Sequence, residues 1–505
     1  MRGLVLAIDA GTSGVRSMLF DLEGTIVSRS YQEFPSHYPS PSWVEQDAES
    51  WWSAVCQTTR DVLNSAGHLQ RIIGVAVTNQ REPIVPLDRS GKTIRRAIVW
   101  QDRRTVPQCD WIRQTVGPSE VYRITGLTVD PYFSAPKILW IKSNEPESFA
   151  NAWKFMLVHD YIVYRLTGRA VTDYSNASRT MLFDLRRTDW SDTLLDALGI
   201  PREKLPDPVA PGTPVGQVHE QASHESGLPA GTEVIAGGGD QQCAALGVGV
   251  VRPGSIKATT GTGTFMLAYS DDVILDPRRR VLCSRHVVPH ALVVEASMFT
   301  TGSALRWFRD NLGVHERLVA TERGLDPYDV MVESASSVPA GSEGVMHLPH
   351  LVGAGAPYWN PRSRGAFVGL SLGHTRNHLI RSILEGVAYE IRTNLEVMRE
   401  LGLNVSEMRV TGGAARSDLW MQIQADVLGV PVIRTQVEEA TALGAAILVC
   451  HGTRLFSKLT DAVDSMVRVR DRLMPDPKNH DVYARGFETY RRLYEALSQV
   501  DLADN

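Results

Sequence analysis

The sequence repeats one pattern in its two halves: a short β-like run, a turn rich in glycine and threonine, and another β-like run. The first copy covers residues 5–20 around the turn at 10–14, and the second covers residues 254–267 around the turn at 260–264. Two strands joined by a tight turn form a hairpin, which differs from the strand-to-helix opening of a dinucleotide-binding unit. The pattern fits a duplicated α/β domain, and it equally fits two unrelated hairpins, since Gly/Thr turns are common.

Further elements extend both copies of this pattern. A third run at Ile26-Val27 makes the opening a three-stranded meander, and the apolar run 72–77 is typical of a buried strand. Apolar residues spaced by three and four predict helices at residues 48–66, 378–401, 419–428 and 440–450. The segment Val251-Arg252-Pro253-Gly254 is the natural boundary candidate, so we expect two domains, 1–250 and 251–505.

Composition limits the classes of protein that remain. With 505 residues, of which 43% are hydrophobic and 22% charged, the chain is long enough for several domains with buried cores. A formal net charge of −5 argues against a dedicated nucleic-acid binder, but leaves room for a local basic cleft that binds a nucleotide. No run approaches the roughly 18 apolar residues of a membrane helix, and five scattered cysteines indicate reduced thiols. We therefore expect a cytoplasmic enzyme without a membrane span.

The glycine-rich turns are candidates for phosphate binding, because such turns expose several backbone N–H groups at once. Hydroxyl donors and a positive charge are added to the first turn by Thr12, Ser13 and Arg16. Asp9, at the end of the first strand, suits Mg²⁺ bound through water. The turn at 261–264 has similar donors, and the turn at 412–415 lies at the start of a helix, which favours anions. Ordinary hairpins and plain helix–strand packing are the alternatives.

Two pairs of polar residues follow predicted strands, at positions where a cleft commonly opens. Arg81 and Glu82 suit a neutral polyol, because together they offer donors and acceptors. Asp240 and Gln241 follow three glycines that leave room for a substrate, whose hydroxyl proton the carboxylate accepts. A surface ion pair and a helix-capping aspartate are the respective alternatives. Aromatic side chains that suit a sugar's carbon skeleton, or else the core, are Trp100, Tyr132 and Phe265.

Together these segments resemble the FGGY carbohydrate kinases, and within that family most closely the glycerol kinases. The resemblance runs from Asp9 to about Cys450 and covers nearly the whole chain. The blocks that carry it are WVEQD (43–47), TNQRE (78–82), IVWQDRRT (98–105), DPYFS (130–134), TDYSNASRT (172–180), GDQQ (239–242) and GAPYW (355–359). So many blocks in the family's order are not a chance agreement.

The resemblance implies an α/β fold of two ribonuclease H-like domains, as in actin and hexokinase, that flank a cleft for ATP and substrate. It implies phosphoryl transfer from ATP to a terminal hydroxyl of glycerol, with Mg²⁺ as cofactor and Asp240 as general base. The implied polyol contacts are Arg81, Glu82, Trp100, Tyr132, Asp240, Gln241 and Phe265. The implied nucleotide and phosphate contacts are Thr12, Ser13, Arg16, Thr262, Gly263, Gly413, Ala414 and Ser417, with metal contacts at Asp9 and Asp240. The family also implies a homodimer or homotetramer.

Some positions depart from the glycerol kinase pattern. Ala10 stands where these enzymes usually carry Gln, and Pro83 stands where they usually carry Thr. The segments 373–376 and 416–429 are more similar to xylulose or gluconate kinases, whereas the Gly-Gln-Met-His motif of xylulose kinases is absent. The first half, which chooses the substrate, favours glycerol. The alternatives are another polyol or ketose, such as erythritol or xylulose, and a non-catalytic nucleotide-binding relative.

Overall fold

Two mixed β-sheets, one in each half of the chain, organise the computed structural model, which describes residues 3–67 and 71–500. Within these residues the strands are β1 (Gly3–Ala10), β2 (Gly14–Phe20), β3 (Ile26–Glu33), β4 (Ser36–His37), β5 (Glu45–Gln46), β6 (Arg71–Asn79), β7 (Val85–Leu87), β8 (Ala97–Ile98), β9 (Lys154–Met156), β10 (Val171–Asp173), β11 (Phe183–Asp184), β12 (Asp189–Trp190), β13 (Asp207–Val209), β14 (Pro214–Gln217), β15 (Glu233–Gly239), β16 (Ser255–Thr260), β17 (Thr264–Ser270), β18 (Leu282–Arg285), β19 (Leu292–Met298), β20 (Met346–Leu348), β21 (Ala366–Val368), β22 (Glu407–Thr411), β23 (Val432–Thr435) and β24 (Val469–Leu473). The α-helices of the same residues are α1 (Ala48–Ala66), α2 (Val106–Thr115), α3 (Pro118–Thr125), α4 (Ser134–Asn144), α5 (Pro146–Asn151), α6 (Val158–Thr167), α7 (Tyr174–Ala177), α8 (Asp192–Leu198), α9 (Glu220–Ser226), α10 (Asp240–Gly247), α11 (Gly302–Asn311), α12 (Val314–Arg323), α13 (Pro327–Ser336), α14 (Arg376–Glu400), α15 (Asp418–Leu428), α16 (Ala440–Gly452), α17 (Leu459–Met466) and α18 (Pro477–Ser498). Short 3₁₀ turns lie at Arg202–Lys204, Ser342–Gly344 and Gly413–Arg416.

The two large sheets share one strand order at their centres. The first sheet runs β14-β15-β6-β1-β2-β3, and the second runs β18-β19-β17-β16-β22-β23-β24. In each sheet, three antiparallel strands (β1-β2-β3 or β16-β17-β19) adjoin two strands that run parallel to the first (β6-β15 or β22-β23). Because β1 and β16 hold matching places, the two-domain α/β fold is confirmed, and the alternative of two unrelated hairpins is wrong.

The helices predicted from apolar spacing are present at nearly the predicted bounds, as α1, α14, α15 and α16. The helix α1 begins where it does because the carboxylate of Asp47 accepts the N–H of Glu49 at 3.0 Å, and it ends at Gly67, whose φ is +79°. Its buried face includes Trp51, Trp52 and Val55. Across residues 3–67 and 71–500, every helix is either too short or too polar to cross a bilayer.

The helices α10 and α16, which follow the last parallel strand of each large sheet, meet at very close range. A Cβ atom on Gly247 would lie 1.9 Å from the carbonyl oxygen of Ala440, and one on Gly444 would lie 1.9 Å from the carbonyl oxygen of Cys243. Any side chain at these two positions would overlap the facing backbone, so only glycine permits this contact. The two halves of the chain therefore touch backbone to backbone here.

Helices from the second half complete the core of the first lobe, by which we mean the domain built on the sheet of β1. The helices α16 and α17 cover one face of that sheet, and their buried apolar residues include Leu443, Leu448, Val449, Ala462 and Met466. The sheet residues in the same cluster are Val5, Ala7, Met18, Phe20, Ala76 and Ile235. Residues 440–466 thus belong to the second half of the chain but pack in the first lobe.

Candidate active site

Parallel strands of the first lobe bring the predicted site residues to one edge of the sheet. The strands β1, β6 and β15 end side by side, because Asn79 of β6 pairs with the last residue of both neighbours. Asp9 is the second-last residue of β1, Arg81 follows β6, and Asp240 follows β15 directly. Side chains at the carboxyl ends of adjacent parallel strands line the cleft of an open α/β sheet. Asp9, Arg81 and Asp240 therefore share this edge.

The three glycines before Asp240 form the end of β15, and the space they leave is filled by protein. A Cβ atom on Gly237 would lie 1.9 Å from the carbonyl oxygen of Val77 on the neighbouring strand. A Cβ atom on Gly239 would lie 2.6 Å from Cδ of Arg81. The sequence-based expectation that these glycines make room for substrate is therefore wrong at these positions, where they admit a strand and the Arg81 side chain.

Five charged side chains, Arg81, Glu82, Arg179, Asp240 and Glu295, form what we call the charge cluster. Nε of Arg81 lies 3.4 Å from Oδ1 of Asp240, and its Nη1 lies 3.0 Å from Oε2 of Glu295 on β19. Nε of Arg179 donates to Oε1 of Glu82 at 2.8 Å. Arg81 and Glu82 are only 3% and 1% exposed, so the surface ion-pair alternative is wrong. Since β19 belongs to the second sheet, the cluster joins the two lobes.

Glu295 is negatively charged near neutral pH and lies between Arg81 and Arg179 of this cluster. Burial raises the pKa of Glu295, but the charges of Arg179 and Arg81 outweigh burial and bring its pKa down to about 2. Oε1 of Glu295 lies 3.3 Å from Nη1 of Arg179, and it also accepts hydrogen bonds from Ser284 and Gln242. By contrast, the side chain of Asp240 is 29% exposed. Asp240 is therefore the member of the cluster that a ligand in the cleft reaches.

Aromatic side chains line the neighbouring part of the first lobe. The rings of Trp100 and Tyr132 meet edge to face with centroids 5.7 Å apart, and the guanidinium of Arg179 lies 5.5 Å from the Tyr132 ring centroid. Nε1 of Trp100 donates to Oγ1 of Thr12 at 3.2 Å. Trp100 thereby connects the first glycine turn with the ring that borders the charge cluster.

A buried lysine holds the backbone that carries Tyr132. Nζ of Lys137, in the first turns of α4, donates to the carbonyl oxygens of Pro131, Tyr132 and Phe133 at 3.0, 2.6 and 2.7 Å. Burial lowers the pKa of Lys137 to about 7. These three hydrogen bonds fix the loop before α4, and with it the position of the Tyr132 ring.

Phe265 approaches from the second lobe. It is half-buried on β17 and lies two residues before Leu267, which pairs with both Lys257 and Glu295 on the flanking strands. Side chains two residues apart on a strand point to the same face. Phe265 therefore shares the sheet face that presents Glu295 to the first lobe.

Three carboxylates, those of Asp9, Asp240 and Glu439, lie near the end of β1 together with Arg16. Burial and the negative charge of Asp240 raise the pKa of Asp9 to about 7, against the opposing effect of Arg16. Nη1 of Arg16 donates to Oε2 of Glu439, the residue before α16, at 3.0 Å. Asp9 and Asp240 thus repel each other, and this is a pair of oxygen donors that a divalent cation would stabilise.

Each of the two Gly/Thr turns is closed by a hydrogen bond from the N–H of its first glycine. The N–H of Gly11 donates to the carbonyl of Gly14 at 3.0 Å, and the N–H of Gly261 donates to the carbonyl of Gly263 at 2.9 Å. The carbonyl of Thr262 accepts two N–H groups at the start of α11, each at 3.1 Å. The residues at the exposed tips are Ser13, Gly261 and Thr262. Both turns lie between the first two strands of their sheets.

The third glycine turn adjoins the second. Gly412 has φ of +91°, and a Cβ atom there would lie 2.6 Å from the carbonyl oxygen of Thr260. Gly413 is exposed and Ala414 half-buried in the 3₁₀ turn that follows. Oγ of Ser417 accepts the N–H of Trp420 at 3.2 Å, so Ser417 caps α15. The predicted nucleotide contact of Ser417 stays a prediction.

Sequence reasoning missed several residues of the site. Glu295 and Lys257 each stand alone as a charge in an otherwise uncharged buried strand, and such a charge needs a partner. That signal was available in the sequence. Arg179 lies in the block 172–180 but had no assigned role, and nothing local marks Glu439 as a partner of Arg16.

The two lobes share one strand order and carry glycine turns at matching places, and Asp240 is the accessible carboxylate where they meet. The chain belongs to the FGGY family of carbohydrate kinases: residues 4–247 match its N-terminal domain and residues 256–453 match its C-terminal domain. It is therefore an ATP-dependent carbohydrate kinase, which confirms the activity class that the resemblance implied.

Relatives cover nearly all of the chain. A glycerol kinase of Thermococcus gammatolerans is 38% identical over 514 residues, which cover 99% of this chain and 97% of that protein. A glycerol kinase of Saccharolobus islandicus is 39% identical over 470 residues, 90% of this chain and 89% of its own. Among solved structures, xylulose kinase from Rhodospirillum rubrum has a TM-score of 0.90 and 30% identity, with 98% and 99% of the two chains covered. Plasmodium falciparum glycerol kinase with ADP has a TM-score of 0.88 over 100% and 99% of the chains, but at 23% identity it supports the fold alone.

Proposed function

We propose that this kinase transfers the γ-phosphoryl group of ATP to a terminal hydroxyl of glycerol and forms sn-glycerol 3-phosphate. The observation that carries the proposal is the accessible carboxylate of Asp240 beside the buried pair Arg81 and Glu82. Its support is a 38% identity with a glycerol kinase over 99% of this chain. The division into domains 1–250 and 251–505, the cytoplasmic location and the homodimer or homotetramer stay proposals.

Asp240 is the proposed general base. Its carboxylate accepts the hydroxyl proton as the oxygen attacks phosphorus in line, and the bond from the γ-phosphorus to its bridging oxygen breaks. The transition state of such transfers is loose, so positioning matters more than base strength. Arg81 and Glu82 bind the other hydroxyls, while Gln241 contacts the substrate beside the base. The carbon skeleton packs against Trp100, Tyr132 and Phe265.

The glycine turns are the proposed phosphate sites. Their backbone N–H groups and hydroxyls stabilise charge on the phosphates without reorganisation, and closure between the lobes excludes water. The residues proposed for this role are Thr12, Ser13, Arg16, Thr262 and Gly263, with Gly413, Ala414 and Ser417 near the adenosine.

The donor set near Asp9 fits magnesium. Across the described residues, no group of three or more His, Cys, Asp or Glu side chains is arranged to hold a metal ion alone. Mg²⁺ commonly takes one or two carboxylates together with substrate phosphates and water, and Asp9 and Asp240 supply such carboxylates. When bound with ATP, Mg²⁺ would neutralise charge on the phosphates.

A panel of acceptors tests the proposal. Purified protein with Mg-ATP is offered glycerol, erythritol, xylulose and gluconate, and we expect the highest kcat/KM for glycerol. Asp240→Asn should abolish transfer and leave the Kd for ATP largely unchanged, whereas the exposed Asp481→Asn should leave both unchanged. Near-wild-type turnover in Asp240→Asn would contradict the assignment of the base.

The second candidate is a ketose kinase. It is favoured by the 30% identity with the Rhodospirillum rubrum xylulose kinase and by the segments 373–376 and 416–429. A kcat/KM for xylulose above that for glycerol would establish this candidate. Transfer to none of the four acceptors would mean that the substrate is another polyol or ketose.

A further inference from the structure

A second buried lysine, Lys257, faces the polyol end of the proposed site from the second lobe. It lies in the middle of β16, is fully buried, and its Nζ donates to Oε1 of Gln241 at 2.5 Å. Burial lowers the pKa of Lys257 to about 7 and Arg81 lowers it further, whereas the nearby carboxylates of Asp240 and Glu295 favour its charged form. The role of Lys257 in the site is not assigned by the proposed function.

The chemistry of an ammonium group determines how the Gln241 amide is oriented. Nζ of Lys257 donates to the amide oxygen of Gln241, and the charged form of Lys257 has three donors and no acceptor, so the amide oxygen, and not the NH₂ group, faces Lys257. The two ends of a glutamine amide have similar shapes, and hydrogen bonds alone decide between its two orientations. With Oε1 held by Lys257, the Nε2 group is the end of Gln241 that is available to a ligand.

We infer that Lys257 is a positioning residue that makes Gln241 an obligate hydrogen-bond donor toward the substrate. The inference rests on the proposed function, in which Gln241 contacts the acceptor molecule beside Asp240. Gln241 and Asp240 are adjacent at the start of α10, and Lys257 contacts the first and lies near the second, so one donor and one acceptor belong to the same part of the cleft. A hydroxyl group satisfies both at once, because it donates and accepts. The pair therefore selects an acceptor with a hydroxyl at this point over one with an ether or carbonyl oxygen.

A double-mutant cycle tests the inference. The variants are Lys257→Met, which keeps the volume and removes the donors, Gln241→Ala, and the two combined. Lys154→Met is the matched control, because Nζ of Lys154 also donates to a carbonyl oxygen, that of Leu205, away from the cleft. The measurements are the Kd and KM for glycerol, and the KM for ATP, with Lys257→Arg as the conservative variant.

We expect Lys257→Met to raise the Kd and KM for glycerol about fivefold, which corresponds to about 1 kcal/mol, with the KM for ATP within twofold of wild type. Gln241→Ala should have a similar effect, and the combined variant should be no worse than Gln241→Ala alone, because Lys257 acts through Gln241. Lys257→Arg should recover part of the affinity, and Lys154→Met should change neither KM.

Two results would overturn the inference. One is a combined variant whose glycerol Kd rises by the product of the two single effects. The other is a Lys257→Met variant that raises both KM values equally, or neither. If the wild-type enzyme prefers a ketose, the glycerol proposal is refuted, but the inference about Lys257 is not. In the double-mutant cycle measured with that ketose, the combined variant should again bind no worse than Gln241→Ala alone.

Discussion

Glu295→Gln is the substitution that most directly tests the charge cluster between the lobes. It keeps the shape of the side chain and one acceptor oxygen, but it removes the negative charge that lies within 3.0 Å of Arg81 and 3.3 Å of Arg179. Removal of one partner from a buried ion pair costs about 3–5 kcal/mol, and the retained acceptor places this variant near 3 kcal/mol. The unfolding entropy is about 2.1 cal/mol/K per residue, so a loss of about 3 kcal/mol lowers the melting temperature of a lobe of about 250 residues by about 6 °C in this variant.

The assay is thermal unfolding followed from pH 2 to pH 8. The pKa of Glu295 in the folded protein, about 2, lies below its ordinary value, so its charge stabilises the fold above about pH 4.5. That contribution is lost as the pH falls through 2. The gap in melting temperature between wild type and Glu295→Gln should therefore be constant from pH 5 to 8 and shrink below pH 4.5.

A matched control separates stability from site geometry. Glu316 is also fully buried, on α12, with Oε1 2.8 Å from Nε of Arg376. Glu316→Gln should lower the melting temperature without changing the KM for the polyol. Glu295→Gln should lower the melting temperature and raise that KM, because Arg81 loses its nearest carboxylate. A Glu295→Gln variant that melts within about 1 °C of wild type, or keeps the wild-type KM, would refute the reasoning.

Three further predictions concern other features. Gly444→Ala should destabilise the protein by about 1–3 kcal/mol in denaturant titrations, since its Cβ would overlap backbone, whereas Gly373→Ala, with open space around it, should not. Lys137→Met removes three donors worth about 1 kcal/mol each, so it should lower stability and, by releasing Tyr132, raise the polyol Kd more than the ATP Kd. The raised pKa of Asp9 leaves its carboxyl protonated below about pH 7, so kcat/KM should rise as the pH increases through 7. A higher Mg²⁺ concentration should move the midpoint of this rise to a lower pH. A pH profile of kcat/KM that is flat from 6 to 8 would contradict this.

Local signals in the sequence were enough to predict the repeated framework. The hairpins around residues 10–14 and 260–264 and the helix α1 depend on turn glycines, a capping Asp47 and apolar spacing, all of which act over a few residues. The positions of Arg81 and Asp240 after strands were predicted in the same way, but the pairing of those strands, which brings both residues to one sheet edge, is a long-range contact.

The rest of the site depends on contacts between distant residues. Arg81 and Glu295 are 214 positions apart, and Arg16 and Glu439 are 423 positions apart. No local pattern pairs such residues, since their approach follows only from the way the two sheets face each other. The same holds for the glycines before Asp240, whose close neighbours are Val77 and Arg81.

The packing of α16 and α17 in the first lobe has a consequence for synthesis on the ribosome. When residue 250 has been added, the sheet of β1 to β15 is complete in sequence, but the face that these helices cover is still bare, with Val5, Ala7 and Ile235 on it. About 190 more residues must follow before α16 begins, which takes roughly 10–40 s at 5–20 residues per second. During that interval the nascent first lobe exposes an apolar surface, and its native fold is completed only when nearly the whole chain has been made.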